Sequence, residues 1–468
     1  VSETAFTFPK KTKSQWVGLA LGAILLILPM VIPIAGLDPM GQRMLGIFLA
    51  AICLWVTEAI PLTATAVGVI FLEVTLVSQQ AIVPVGEHAV PAATYFASLA
   101  NPVLILFLGG FLIADGAAKY GLDRNLAALL LKPFGGSGRL TTLGIMLITA
   151  LLSMFMSNTA TTATMFAMAL PIIKKLPTRR ERSALALSIP IAANIGGIGT
   201  PVGSPPNAIA IGALAQQGII LTFGQWMMMA LPLLSILLVV AWLMLCVFGI
   251  SANTRMSLDI VPDFDRSAPA LVFYAITGLT ILLWMTESVH GVNSNIVGFF
   301  PVVLMLATQV MSGEDLKRLS WPVLWLVAGG IALGNGVGAT GLDKWLLSAI
   351  RWDHLGVTAL LMVLALLAML MSNVISNSAT ANLLVPLTLG LGTTIAVDQA
   401  TVAVVIALAC SMGMALPIST PPNAIAYGTG TVTTKSMIVT GLFLGFLGAF
   451  LISLVMPNFW QWANLIPQ

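Results

Sequence analysis

Polar residues in this chain fall into short clusters, and the stretches between them are continuously apolar, without the two-residue alternation of a half-buried strand. A helix needs about 20 apolar residues to cross a bilayer. Stretches of that order lie near Trp16–Ile34, Met44–Pro61, Thr63–Val77, Pro102–Ala118, Ser183–Leu214, Trp226–Phe248, Ala268–Val289, Ile296–Met311, Val323–Ala339, Ala400–Thr429 and Met437–Met456, which predicts eleven crossings. Two more, Leu140–Ile173 and Leu355–Leu391, are interrupted centrally by polar residues. Their arms, of about 14–18 residues, fall short of a crossing, and each predicts a re-entrant hairpin. The missing alternation excludes a transmembrane β-barrel. The expected fold is an all-α integral membrane protein.

The polar clusters repeat. Trp55–Glu58 returns as Trp284–Glu287, and Gly109-Gly110 with Gly121-Leu122-Asp123 returns as Gly329-Gly330 with Gly341-Leu342-Asp343. Ser157-Asn158-Thr159-Ala160-Thr161 returns as Ser376-Asn377-Ser378-Ala379-Thr380, and Ser204–Ala210 as Thr420–Ala426. Four blocks in one order, at an offset narrowing from 229 to 216 residues, mark a duplication. The expected organisation is a cytoplasmic segment 1–15, a first half 16–250 with hairpin 140–173 and broken helix 183–214, a cytoplasmic linker 251–267, and a second half 268–468 with hairpin 355–391 and broken helix 400–429.

Composition agrees with the membrane reading. Of 468 residues, 58% are apolar and 8% charged, against about 25% charged in soluble proteins, and the mean hydropathy is +1.00. A net charge of +3 provides no nucleic-acid surface. Cys53, Cys246 and Cys410 form neither a disulfide framework nor a metal clip. The chain opens on Val1, so its natural start is expected upstream; Lys10, Lys11 and Lys13 read as a basic flank, with no signal-peptide cleavage pattern.

With the N-terminus in the cytoplasm, all but Arg43, Lys344 and Arg351 of the 20 basic residues fall inside, a strong positive-inside bias, and the C-terminus falls outside. The first hairpin, flanked by Arg139 and Lys174, then opens from the cytoplasm; the second, flanked by Arg351 and Asp398, opens from outside. Inverted repeats with broken helices near the midplane are a recurrent design of secondary transporters.

The hairpin tips are good N-caps, so the arm after each offers free backbone N–H groups to an anion. The Asn and hydroxyl oxygens can instead hold a hard cation such as Na⁺. Capping and interhelical glue alone would account for one such motif; two copies at matching positions argue for a site. In Gly199–Asn207 and Pro417–Asn423, paired prolines break apolar helices and free carbonyls that need partners. No Lys, Arg or His lies in the tips or breaks, so co-bound cations are the natural complement to an anion, and no carboxylate–histidine relay favours H⁺ over Na⁺. A membrane hydrolase would need a nucleophile with a base or a paired-aspartate site, and neither constellation is present. Glu58 and Glu287 read as caps or interface residues and Asp115 as structural. His88, His290 and His354 read as loop residues, and Gly135-Gly136-Ser137-Gly138 as a turn.

Paired SerAsnThr-type tips, each followed by a break ending ProProAsnAla, resemble the divalent anion/sodium symporter family of di- and tricarboxylate transporters. The resemblance extends from Trp16 to Trp462. It implies a homodimer in the lipid bilayer of a bacterial inner membrane, with a scaffold domain and a transport domain moving as an elevator. It also implies at least two Na⁺ sites, one using Ser157, Asn158 and carbonyls near Gly199, the other Asn377 and carbonyls near Ala379 and Ala415. A C4-dicarboxylate such as succinate, malate or fumarate would meet Asn158, Thr159, Asn377 and Ser378, with Thr420 and Pro421 nearby. Ser378 departs from the usual threonine and enlarges the site, which keeps citrate and sulfate open as substrates. A dicarboxylate exchanger is the other alternative; that branch places basic residues in these motifs, where this chain has Thr161 and Asn377.

Overall fold

The computed structural model describes residues 11–84, 89–256, 261–348, 356–389 and 397–466. Among the positions singled out above, Val1, Lys10, His88, Arg351, His354, Leu355 and Leu391 lie outside them.

The described chain is predominantly helical. Nine of its helices are long and apolar enough to cross a membrane: Lys13–Val31, Pro39–Thr57, Ala92–Lys119, Gly138–Phe155, Phe223–Phe248, Ala268–Met285, Trp321–Ala339, Val357–Val374 and Thr434–Trp462. Leu62–Leu76, Ser294–Ala307 and Gln399–Ser411 are apolar but shorter. Gly138–Phe155 and Val357–Val374, the first arms of the two expected hairpins, are thus not short of a crossing, as the sequence suggests, but long and apolar enough to cross. The stretches at 183–214 and 400–429 are each split, into Arg179–Gly196 and Pro205–Gln216, and into Gln399–Ser411 and Pro421–Gly428.

Local chemistry explains the boundaries. Prolines stand at the first positions of Pro39–Thr57, Pro102–Lys119, Pro205–Gln216 and Pro421–Gly428, where a missing N–H costs nothing. Gly121 (φ +64°) and Gly341 (φ +66°) take the same left-handed turn in the two halves, a conformation that only glycine adopts without strain. Trp55, Trp226, Trp284 and Trp460 are fully buried. Each donates its indole N–H to a carbonyl, respectively Leu62, Ile198, Ser294 and Met229, at 3.0–3.2 Å, as buried indoles require.

Two sequence expectations are corrected. Gly136–Ser137 is a strand, paired antiparallel with Arg255–Met256. Gly138 N donates to Thr254 O at 2.7 Å and the Thr254 hydroxyl binds the Glu181 carboxylate, so pairing with a distant linker replaces the plain turn. His290 closes a single helical turn, Glu287–His290, in which Glu287 accepts from Phe223 N at 3.1 Å and Ser294 N at 3.2 Å.

The packing crosses between halves. Pro205–Gln216 packs on Asn377–Leu389 and Gln399–Ser411, while Pro421–Gly428 packs on Asn158–Lys175 and Arg179–Gly196. The larger buried core surrounds these hairpins and broken helices. A smaller one joins Pro39–Thr57, Leu62–Leu76 and Trp321–Ala339, and reaches Ile375, Ala379 and Leu383 of the second hairpin. Beside it Glu73 is fully buried, with no hydrogen-bond partner for either carboxylate oxygen among the described residues.

Candidate functional site

The two hairpin turns are built alike. Gly138–Phe155 ends, Ser157 caps the next arm by accepting from Ala160 N at 3.1 Å, and Asn158–Lys175 follows. Val357–Val374 ends, Ser376 accepts from Ala379 N at 3.2 Å, and Asn377–Leu389 follows. Ser157, Asn158, Asn377 and Ser378 are half-buried, Thr159 is exposed and Ala379 is buried.

Beneath each tip is a serine that the motif reading did not single out. Ser153 Oγ lies 2.6 Å from Asn158 Oδ1 and 2.8 Å from Ala193 O. Ser372 Oγ lies 2.6 Å from both Asn377 Oδ1 and Cys410 O. In each cluster three oxygens share the single proton of one hydroxyl. Such an oxygen-rich, proton-poor cluster suits a hard cation. The signal was available: Ser153 and Ser372 keep the same offset as the tips, four residues ahead of Ser157 and Ser376.

The breaks are held open by asparagines. Asn207 Nδ2 donates to Gly197 O at 2.9 Å and Thr200 O at 2.8 Å; Asn423 Nδ2 donates to Met414 O at 2.7 Å and Leu416 O at 2.9 Å. Each amide thereby satisfies two backbone carbonyls at its break. Each break is also pinned to the preceding hairpin arm, the Thr200 hydroxyl to Met154 O and Ser419 Oγ to Asn373 O at 3.0 Å. A Cβ at Gly197 would come within 2.7 Å of the Asn158 amide, and one at Gly413 within 2.5 Å of Ser372 Cβ. Glycine there lets each break abut its tip.

Gly199 N donates to Gly196 O at 2.9 Å, inside the first break. Ala415 N donates to Asn373 Oδ1 at 2.7 Å, inside the second. Thr420 is buried and caps Pro421–Gly428, accepting from Asn423 N at 3.3 Å; Pro421 is exposed at the first position of that helix. The crossed packing brings that helix to the first hairpin. A side-chain hydrogen bond joins the two broken helices, Asn194 Nδ2 to Asn423 Oδ1 at 3.1 Å.

No charge lies in either tip or break, and among the described residues no three His, Cys, Asp or Glu gather as metal ligands. The hydroxyl oxygens of Thr161 and Thr162 and the amide oxygens of Asn194 and Asn207 are buried without a hydrogen-bond partner among the described residues. Neutral oxygens in want of a donor fit a weakly charged hard cation. The N-termini of the second arms present N–H groups that fit an anion.

Comparison with known proteins gives the same picture at the scale of the chain. Residues 12–466 match the model of the sodium:sulfate symporter transmembrane region. The sodium-dependent dicarboxylate transporter SdcS of Staphylococcus saprophyticus is 30% identical over 502 aligned residues, covering 96% of this chain and 93% of the relative. Its counterpart in Staphylococcus aureus is 29% identical over 97% of this chain and 94% of the relative. The crystal structure of the Alcanivorax borkumensis YdaH transporter superposes with a TM-score of 0.58 at 13% identity, covering 97% of this chain and all of that one; it shares the fold. These relatives are transporters rather than enzymes. Its apolar helices, its paired tips and breaks and the match along nearly its whole length show that this integral membrane protein belongs to the sodium:sulfate symporter family.

Proposed function

We propose that the protein uses a Na⁺ gradient to import small dianionic carboxylates, C4-dicarboxylates such as succinate, malate and fumarate first among them. The observation that carries this reading is the repeated cluster of uncharged oxygens at Ser153/Asn158 and Ser372/Asn377. It offers places for cations beside two helix N-termini that favour an anion. The relatives named as sodium-dependent dicarboxylate transporters support the substrate class.

One Na⁺ is assigned to Ser157, Asn158 and the Gly199 carbonyl, the other to Asn377 and the Ala379 and Ala415 carbonyls. The substrate carboxylates meet Asn158, Thr159, Asn377 and Ser378, with Thr420 and Pro421 alongside. Cations bound first cancel the cost of placing a dianion where no basic side chain is present, which makes uptake depend on Na⁺. The hairpins and broken helices form the unit that carries the site, moving as an elevator against a scaffold of the remaining helices in a homodimer. The membrane is a bacterial plasma membrane, with the N-terminus cytoplasmic and the C-terminus outside.

The test is radiolabelled succinate uptake into proteoliposomes under an inward Na⁺ gradient, against an equal K⁺ gradient. Uptake with Na⁺ alone is expected. Uptake that ignores Na⁺ and needs dicarboxylate inside would identify an exchanger. Competition by citrate or sulfate in preference to succinate would move the substrate class, the direction in which the smaller Ser378 points.

A further inference from the structure

We propose that a groove remote from the tips binds one anionic phospholipid, its acyl chains between three helices and its phosphate at a basic mouth. The groove lies between Arg179–Gly196, Phe223–Phe248 and Thr434–Phe450 and encloses about 1020 Å³. Its walls are apolar, formed by Leu187, Leu243, Val247, Val439 and Phe443 among others. Several of these side chains face outward, Val247 at 68% exposure and Val439 at 59%. Gly249 closes one side, since a Cβ there would come within 2.2 Å of Ala184 Cβ.

The charge is one-sided. Arg179, Arg180 and Lys435 stand at the groove, exposed, with no acidic side chain among its lining residues. None of the three is in an ion pair among the described residues. Arg180 Nε is engaged by the Phe248 carbonyl, which fixes the guanidinium at the rim. The neighbouring Glu181 is buried, and its carboxylate binds the Thr178 and Thr254 hydroxyls. Three unneutralised cations above an apolar cleft between membrane helices complement a phosphodiester carrying acyl chains. A zwitterionic lipid would bring its own cation to the same mouth. The positive-inside pattern puts all three residues on the cytoplasmic face, where basic pockets between helices take anionic headgroups.

Native mass spectrometry of the full-length protein, equilibrated with equal phosphatidylglycerol and phosphatidylcholine of identical chains, tests the assignment. Wild type is expected to retain phosphatidylglycerol at least about tenfold over phosphatidylcholine, the ratio expected for loss of one charge-assisted contact. The combined variant Arg179→Gln, Arg180→Gln, Lys435→Gln should abolish the preference. Val247→Trp with Val439→Trp fills the cleft and keeps the charges, and should reduce retention of both lipids. Equal retention by wild type would overturn the proposal, as would a preference that survives in the charge variant. Displacement of the lipid by inorganic phosphate, or full retention in the tryptophan variant, would reduce the site to a surface anion patch and equally overturn it. If the charge variant does not fold, the wild-type ratio and the tryptophan variant decide.

Discussion

At the residue scale, the proposed function rests on a few uncharged side chains whose neighbours leave them one proton short. Asn158→Ala or Asn377→Ala removes an oxygen from each cluster and is expected to abolish uptake while leaving a folded protein by size-exclusion chromatography; wild-type uptake in both would sink the site. Ser153→Ala and Ser372→Ala keep the tip motif and remove the shared hydroxyl, worth about 1–3 kcal/mol in a buried polar cluster. The apparent Na⁺ affinity should fall correspondingly, about 5- to 150-fold, and an unchanged Na⁺ titration would argue against a cation there. Ser378→Thr should shift competition toward smaller dicarboxylates, and an identical competition profile would remove Ser378 from the substrate site. Glu73→Gln replaces a buried carboxylate that has no hydrogen-bond partner among the described residues by a neutral amide of the same shape. It is expected to melt no lower than wild type, whereas a clear drop in melting temperature would expose a partner for that carboxylate. The tips were legible in the sequence because they recur as blocks. Ser153 and Ser372 keep the same offset but fall outside the matched blocks, because Met-Phe-Met in one half and Asn-Val-Ile in the other separate them from the tips. Glu73 lacks a repeat counterpart, and only its burial draws attention to it.

At the element scale, the paired prolines announced both breaks, but where each helix stops depends on side chains from elsewhere. Trp226 reaches Ile198 O, and Asn207 and Asn423 collect released carbonyls, contacts that no periodicity encodes. The strand pair Gly136–Ser137 with Arg255–Met256 was hidden for a similar reason: two residues are too short for a pattern, and the partner lies more than a hundred positions away. The loop helix Gly313–Arg318 is tied to the end of Pro102–Lys119 by Asp315 Oδ2 and Lys119 Nζ at 2.7 Å. The Lys119 ammonium, with Ser312 N–H, holds the Asp315 carboxyl down at about 2. A carboxyl depressed in the folded state stabilises it above the unfolded value, near 3.9. That contribution is lost as pH falls from about 4 through about 2. Because Lys119 is partly exposed, Asp315→Asn should cost no more than about 1 kcal/mol at pH 7. The difference from wild type should vanish near pH 2, as read by thermal unfolding in detergent; a constant difference across that range would show that the pair is not the cause.

At the scale of the whole molecule, the duplication was plain in the sequence, and the crossed packing was not, since order along the chain does not say which half's hairpin a helix will cover. Cysteines at Lys174 and Arg351 are expected to react with impermeant reagents from opposite sides of the membrane, and labelling from one side would overturn the inverted arrangement. The crossing also bears on how the protein is made. The helix that covers the first hairpin, Pro421–Gly428, leaves the ribosome some 250 residues after that hairpin. Until then the first hairpin and its broken helix lack the helix that packs on both of them in the folded protein. A chain truncated anywhere before Pro421 therefore lacks the cover of its first hairpin, however complete its first half is. The late partner ties the two ends of the chain together: the packing of the first hairpin is finished only when nearly all of the sequence is present.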